Sequence, residues 1–131
     1  NDGPPFEIDT RLVLGVKPMM KFDKEELRVK PGAAVELAFT NNDPMPMMHN
    51  LVLVKPGARL EIVIAAAGLG AAGMANSFVP KSDKVIAYTP LVLTGNTYKL
   101  YFKAPTNPGK YEYICTYPGH GLTMWGILHV K

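Results

Sequence analysis

The 131-residue sequence predicts an all-β fold, a single β-sandwich with one helical insertion. Several short segments alternate between apolar and polar residues, which is the pattern of strands buried on one face. Twelve glycines and twelve prolines separate these segments and favour turns between short strands over long helices. Because 47% of the residues are hydrophobic, a chain of this length can bury a substantial core.

The first half of the chain contains four segments that we expect to form strands. They lie at residues 6–12, 27–29, 35–39 and 51–54. The first three alternate in polarity, whereas the fourth is a continuous apolar run and indicates a strand buried on both faces. Proline, glycine and asparagine turns end them at residues 30–32, 41–44 and 55–57.

The segment after the fourth strand differs in composition, because it is rich in alanine and leucine. Ile62, Ile64, Leu69 and Met74 follow at roughly helical spacing. We therefore expect a helical flap over residues 58–78, packed on one side of the sandwich. It forms one helix, or two short helices broken around residues 68–70.

Four more strands are expected after the flap, at residues 85–88, 98–102, 111–115 and 124–130. By alternation, Tyr111, Tyr113 and Cys115 share a face of their strand. In the last strand, Met124 points inward, whereas Trp125, Ile127 and His129 point outward. We interpret His129 as a surface histidine without a partner, and we expect the flap, a partner protein or a neighbouring domain to cover Trp125.

The loop between the last two strands concentrates groups that bind metals. Cys115, His120 and Met124 offer a thiolate, an imidazole and a thioether, the donors that copper prefers. The chain has three histidines, and His49 ends its own loop just before a strand. We expect these four residues to hold one copper ion, with two imidazoles and the thiolate in a plane and the thioether as a long axial ligand. That is the arrangement of blue-copper electron-transfer sites.

Residues around this site have further predicted roles. Asn50 is placed to connect the two ligand loops by hydrogen bonds near the sulfur, and such bonds tune a metal site. Electrons are expected to pass through the exposed edge of His120. An apolar docking patch should surround that edge, and its candidate residues are Met45, Met47, Pro118, Gly121 and Leu122.

The segments 115–124 and His49-Asn50 resemble the ligand motifs of the cupredoxins, the small blue-copper proteins. The C-x4-H-x3-M spacing, the helical insert and the chain length are most similar to azurin, with auracyanin next. The resemblance implies an eight-stranded Greek-key sandwich, one copper ion alternating between Cu(I) and Cu(II), and electron transport in the periplasm or another exported setting. Its partners would be redox proteins such as cytochromes or copper or haem oxidoreductases.

The sequence departs from azurin at three places, one of which is Trp125, an unusually large apolar residue directly after the axial methionine. Azurin has a glycine before the first histidine, and the carbonyl of that glycine contacts the copper weakly. Here the position is Met48, so the resemblance implies a weak backbone contact from Met48. Azurin also has a disulfide near its N-terminus, which a chain with one cysteine cannot form.

Other functions fit the sequence less well. Copper nitrite reductases and multicopper oxidases need a second metal centre, for which only His129 would remain, so we expect no enzyme activity. A Cys-His hydrolase needs an oriented dyad and an oxyanion hole, and the thioether argues against zinc. The alternatives kept are a module for copper storage or delivery, suggested by the many methionines, and the cupredoxin domain of a larger redox protein.

Composition excludes two further classes. The net charge of +3 is small and the basic residues are scattered, so nothing indicates nucleic-acid binding. No apolar stretch is long enough to form a transmembrane helix, and no segment is typical of a secretory leader. We expect residues 1–5 to be a linker or a processed N-terminus and residues 6–131 to form the domain, either a monomer or a part of a longer chain.

Overall fold

The computed structural model describes residues 3–131, so the predicted linker at residues 1–5 lies partly outside the described residues. Within this range the chain forms two main sheets, a small hairpin and two short helices. The strands are β1 (Thr10–Leu14), β2 (Val16–Lys17), β3 (Lys21–Phe22), β4 (Glu26–Val29), β5 (Ala34–Thr40), β6 (Val52–Val54), β7 (Val85–Tyr88), β8 (Thr97–Lys103), β9 (Gly109–Ile114) and β10 (Trp125–Val130). The α-helices are α1 (Arg59–Ala67) and α2 (Ala72–Ala75), and His120–Leu122 form one turn of 3-10 helix.

The two main sheets form the sandwich. One sheet has three strands in the order β1-β5-β8, and the other has five in the order β4-β10-β9-β6-β7. β1 pairs with β5 and β4 pairs with β10 in parallel, while the remaining pairs are antiparallel. Inward residues of both sheets, such as Phe39, Tyr113 and Leu128, pack in one core cluster. The predicted eight-stranded β-sandwich is confirmed, and the β2–β3 hairpin is an addition to it.

The first strand begins later than the alternation predicts, at Thr10 instead of residue 6. Asp9 explains the difference, because its amide donates to the carbonyl of Ala34 (3.0 Å) and its carboxylate accepts the amide of Ala34 (3.2 Å). The Asp9 side chain thus replaces the next backbone hydrogen bond between β1 and β5. Phe6 packs beneath the ammonium group of Lys103 instead of continuing the strand, with Nζ 4.7 Å from the ring centre.

The predicted helical flap is present, and of the two forms that the sequence left open it has the form of two short helices. Ile62 and Ala66 on α1 are buried, and Ile62 packs with Val52, Val54 and Ile114 on the outer face of the five-stranded sheet. This second apolar cluster holds the flap on the sandwich. No helix in the described part of the chain is both long and apolar enough to cross a membrane.

The interpretation of His129 as a histidine without a partner is wrong. Its Nε2 lies 2.7 Å from Oε1 of Glu26, and only 15% of the His129 side chain is exposed. In the parallel pairing of β4 with β10, Glu26 lies opposite Ile127, two residues from His129 and on the same face. The contact therefore depends on which strand lies beside β10.

Candidate metal centre

Three donor atoms meet at one end of the sandwich. Nδ1 of His49 lies 3.2 Å from Nδ1 of His120, and Sγ of Cys115 lies 3.7 Å and 3.6 Å from these two nitrogens. All three residues are buried, and among residues 3–131 they form the one group of three or more His, Cys, Asp or Glu donors close enough to share a metal. The centre of a triangle of this size is about 2 Å from each corner, which fits bonds from a metal to imidazole and thiolate.

The strand ends fix the loop that carries two of these donors. Cys115 follows β9 directly, and its amide donates to the carbonyl of Met124 (3.0 Å), the residue just before β10. Inside the loop, the amides of His120 and Met124 donate to the carbonyls of Tyr117 (2.9 Å) and His120 (2.8 Å). Gly119 has φ +86°, a left-handed conformation that glycine adopts at little cost. The loop is therefore one closed, hydrogen-bonded turn.

Met124 is the fourth predicted ligand. Its side chain is fully buried and belongs to the same apolar cluster as Cys115. A thioether in this core would add a soft donor to the triangle, and soft sulfur donors select copper over harder metals.

His49 is held at both its backbone and its ring. Its amide donates to the carbonyl of Val92 (3.2 Å), and the amide of Val92 donates back (2.7 Å). Its Nε2 lies 2.7 Å from Oδ2 of Asp43, which is buried. Sequence reasoning missed Asp43, since the acidic residue six positions before His49 was interpreted only as part of a turn.

Asn50 and Thr116 connect the two ligand loops. Oδ1 of Asn50 accepts the amide of Thr116 (2.8 Å), and Nδ2 donates to the Thr116 hydroxyl (2.8 Å) and to the carbonyl of Ser77 (2.8 Å). The Thr116 hydroxyl in turn donates to the carbonyl of Phe78 (2.7 Å). Ser77 and Phe78 have φ of 53° and 54°, so the end of the flap bends to present both carbonyls to this network.

Burial controls the protonation of the donors. It raises the pKa of the Cys115 thiol to about 12, although backbone hydrogen bonds from Asn50 and Tyr117 act in the opposite direction. Burial, together with the neighbouring His49, lowers the pKa of His120 to about 4, while Asp43 opposes this shift. The imidazole of His120 is therefore neutral at pH 7 and can donate its lone pair. The thiol must lose its proton when a metal binds.

Comparison with known proteins identifies the family. Residues 10–131 match the model of the copper-binding proteins of the plastocyanin/azurin family. The chain belongs to this family. The cupredoxin resemblance is thus confirmed, and copper is the cofactor that the donor set fits.

Several cupredoxins resemble this chain over most of its length. Auracyanin-A of Chloroflexus aurantiacus is 41% identical over 112 residues, which are 86% of this chain and 68% of auracyanin-A. Auracyanin-B of the same organism is 33% identical over 99% of this chain but 54% of its own length, so the chain spans about half of that relative. Azurin-1 of Alcaligenes xylosoxydans xylosoxydans is 34% identical over 83% of this chain and 88% of azurin-1.

The solved structure of auracyanin A from Chloroflexus aurantiacus, described as a "blue" copper protein, has a similar fold. It superposes with a TM-score of 0.83 at 36% identity and covers 92% of this chain and 98% of its own. This cupredoxin is therefore similar to the auracyanins and also to the azurins.

In this cupredoxin, His120 is the donor nearest to solvent. It keeps 5% of its surface exposed, whereas His49, Cys115 and Met124 keep none. Among the predicted docking residues, Met45 and Leu122 are 61% and 65% exposed, Pro118 is exposed and Met47 is half-buried. We call these four residues the apolar rim. Met48, the residue with the implied backbone contact, is half-buried.

Gly121 does not fit the docking role that the sequence suggested, because it is buried beneath the flap. A Cβ atom at this position would lie 2.5 Å from Cγ2 of Val63 on α1 and 3.0 Å from the carbonyl oxygen of Cys115. Gly121 is thus a point of close approach between the flap and the ligand loop, and it is not part of the apolar rim.

Arg59 is a second residue that sequence reasoning missed. It lies at the start of α1, and its guanidinium carbon lies 4.3 Å from the ring centre of Trp125. Its Nε is 3.8 Å from Oε2 of Glu112. The flap therefore covers Trp125, which is one of the possibilities that the sequence left open.

Proposed function

We propose that this cupredoxin is a blue-copper carrier of single electrons, with His49, Cys115, His120 and Met124 as the ligands of one copper ion. The triangle of two Nδ1 atoms and one Sγ atom, 3.2–3.7 Å apart, is the observation that supports this assignment, and Met124 is buried in the same end loop. Bound copper supplies a one-electron couple between Cu(I) and Cu(II).

The chain's contribution is to hold the donors still while the charge of the site changes by one. The backbone bonds between His49 and Val92 fix one corner, and the closed turn from Cys115 to Met124 fixes the others. Thiolate and thioether suit the reduced ion, and imidazole suits both oxidation states. When the ligands do not have to move between the two oxidation states, the barrier to electron exchange is lower.

Electrons enter and leave at His120, because it is the one proposed ligand with exposed surface. We expect the apolar rim to surround this edge and to let a partner exclude water from the contact without binding tightly, as small transient redox interfaces do. The partners proposed are redox proteins such as cytochromes or copper or haem oxidoreductases. A periplasmic or other exported location, and the weak contact from the Met48 carbonyl, remain predictions from the family resemblance.

Spectroscopy of the Cu(II) protein tests the ligand assignment. We expect an intense visible absorption and a blue-copper EPR spectrum, both lost in Cys115→Ser. His129→Gln is the matched control, because this histidine pairs with Glu26 on an outer face and should leave the spectra unchanged. A weak visible band in the wild-type Cu(II) protein would show that the thiolate site is wrong.

Stopped-flow exchange with a soluble cytochrome tests the carrier function. Leu122→Asp places a charge in the apolar rim and should slow exchange while the visible spectrum stays the same. Slow exchange by the wild type, combined with ready transfer of Cu(I) to a chelator, would instead favour copper delivery.

A further inference from the structure

Asp43 is a buried carboxylate whose two oxygens are both used. Its side chain is 3% exposed, and that of its partner His49 is 0% exposed. Oδ2 lies 2.7 Å from Nε2 of His49, and Oδ1 accepts the amide of Met45 (2.9 Å). Burial removes the hydration of a carboxylate at a cost in free energy, so a buried carboxylate needs interactions that offset this cost.

The contact fixes the tautomer of His49. Oδ1 of Asp43 accepts a backbone amide, which can only donate, and Oδ2 lies within hydrogen-bond distance of Nε2 of His49. An ionised carboxylate only accepts, and Nε2 must therefore carry the proton. The lone pair is then on Nδ1, the atom that faces Sγ of Cys115 and Nδ1 of His120.

A rigid frame holds Asp43 in place. Oδ1 of Asn41 accepts the amide of Asp43 (3.1 Å), and Nδ2 of Asn41 donates to the carbonyls of Met47 (2.7 Å) and Val92 (2.8 Å). Asn41 is fully buried. Val92 is also the backbone partner of His49, so the carboxylate and the imidazole are anchored to the same residue.

We propose that Asp43 is a positioning residue of the copper centre, which orients His49 and lowers the reduction potential by its fixed negative charge. The proposal rests on the copper site proposed above. The Cys115 thiolate and the Asp43 carboxylate carry two negative charges. These charges balance Cu(II), but they leave one excess negative charge beside Cu(I). In a buried site of low dielectric this favours the oxidised form. Carboxylate partners of ligating histidines also raise their basicity.

The Asp43→Asn variant tests the proposal with almost no change of shape. In either orientation of the amide, its NH₂ group faces a donor, the Nε2–H of His49 or the amide of Met45, so one hydrogen bond is lost along with the charge. We expect the ratio of Cu(II) to Cu(I) affinity to fall about tenfold, which for a one-electron couple raises the potential by about 59 mV.

A second measurement needs no copper. In ¹⁵N NMR spectra of the metal-free wild type, His49 should be the Nε2–H tautomer, and in Asp43→Asn it should become a mixture. If the variant does not fold, the wild-type spectrum still tests the proposal. An Nδ1–H tautomer of His49 in that spectrum would overturn it.

Two further variants separate charge from shape. Asp43→Glu keeps the charge and the acceptor, so its potential should stay near that of the wild type. Asp9→Asn is the distant control, because it also removes a carboxylate that accepts a backbone amide, that of Ala34. Ala34 is the first residue of β5 (Ala34–Thr40), and Asp43 follows the other end of this strand, about 20 Å away. Asp9→Asn should not move the potential.

The outcomes are distinct. An unchanged potential and tautomer in Asp43→Asn, or the same shift in Asp43→Glu as in Asp43→Asn, would overturn the role of Asp43 while leaving the blue-copper assignment intact. Absence of the intense visible band in wild-type Cu(II) protein would instead overturn the proposed copper site itself.

Discussion

Nη1 of Arg59 donates a hydrogen bond of 2.9 Å to the backbone carbonyl of Gly121, so the flap is tied directly to the loop between Cys115 and Met124. The same guanidinium covers Trp125. The flap is thereby a support of the ligand loop as well as a cover for the sheet.

We expect Arg59→Met to destabilise the protein by about 2 kcal/mol, because a buried carbonyl loses a charged donor and the indole loses its cation–π contact. Urea unfolding measures the loss, and hydrogen exchange at the Met124 amide should show a looser loop. Lys84→Met is the control, since it breaks the exposed Lys84–Glu61 pair in the same region at a cost of about 0–1 kcal/mol. Equal effects of the two variants would contradict the supporting role of Arg59.

Gly121→Ala should destabilise the protein by about 1–3 kcal/mol, because the new methyl group overlaps Val63 and the Cys115 carbonyl. Thermal unfolding would measure this loss of stability. Adding Val63→Ala should recover part of the loss. Gly68→Ala is the matched control, because its Cβ would make only ordinary contacts at 3.5–3.6 Å. A stable Gly121→Ala would show that the flap can move away from the loop.

Asn50→Ala removes the hydrogen bonds from Asn50 to Thr116 and Ser77. The Thr116 amide is then buried without a partner, so we expect a loss of about 2–4 kcal/mol in the free energy of unfolding. Asn76→Ala loses one exposed bond to the carbonyl of Ala72 and should cost less than about 0.5 kcal/mol. Comparable losses in the two variants would mean that the Asn50 network contributes little.

The metal-free protein should lose stability in acid through His120. Its pKa is about 4 in the fold against an ordinary 6.5, so between these values the unfolded chain binds a proton that the folded chain does not. Stability therefore falls as the pH drops from 6.5 to 4, by up to about 1.4 kcal/mol per pH unit. Urea unfolding of metal-free wild type and His120→Gln at pH 7 and 4.5 would isolate this contribution. Parallel pH dependences would contradict it.

Local patterns were enough to predict the strands and the loop that carries three donors. Period-two alternation placed Tyr111, Tyr113 and Cys115 on one face of their strand, and all three lie in the core. Cys115, His120 and Met124 are close in sequence, so their proximity followed from two strands joined by one turn. The first strand was predicted too early because alternation alone does not register that the Asp9 side chain bonds the Ala34 amide.

Contacts between distant segments could not be predicted. Glu26 pairs with His129 across 103 residues, and the contact exists only because β4 lies beside β10. Arg59 and Gly121 meet only when the flap packs on the sheet. Asp43 was near His49 in sequence, but only the fold of its loop turns the carboxylate toward the ring.

The position of β10 determines when the sandwich can be completed during synthesis. β10 is the last strand in sequence, yet it lies between β4 and β9 in the five-stranded sheet. Until residues 125–130 have left the ribosome, β4 has no strand to pair with in this sheet and β9 has one unpaired edge. Such open edges favour misassociation. Cys115, His120 and Met124 lie between β9 and β10, so the loop that carries them cannot close before β10 is available to pair with β9. A nascent chain stalled before residue 125 should therefore be sensitive to proteases.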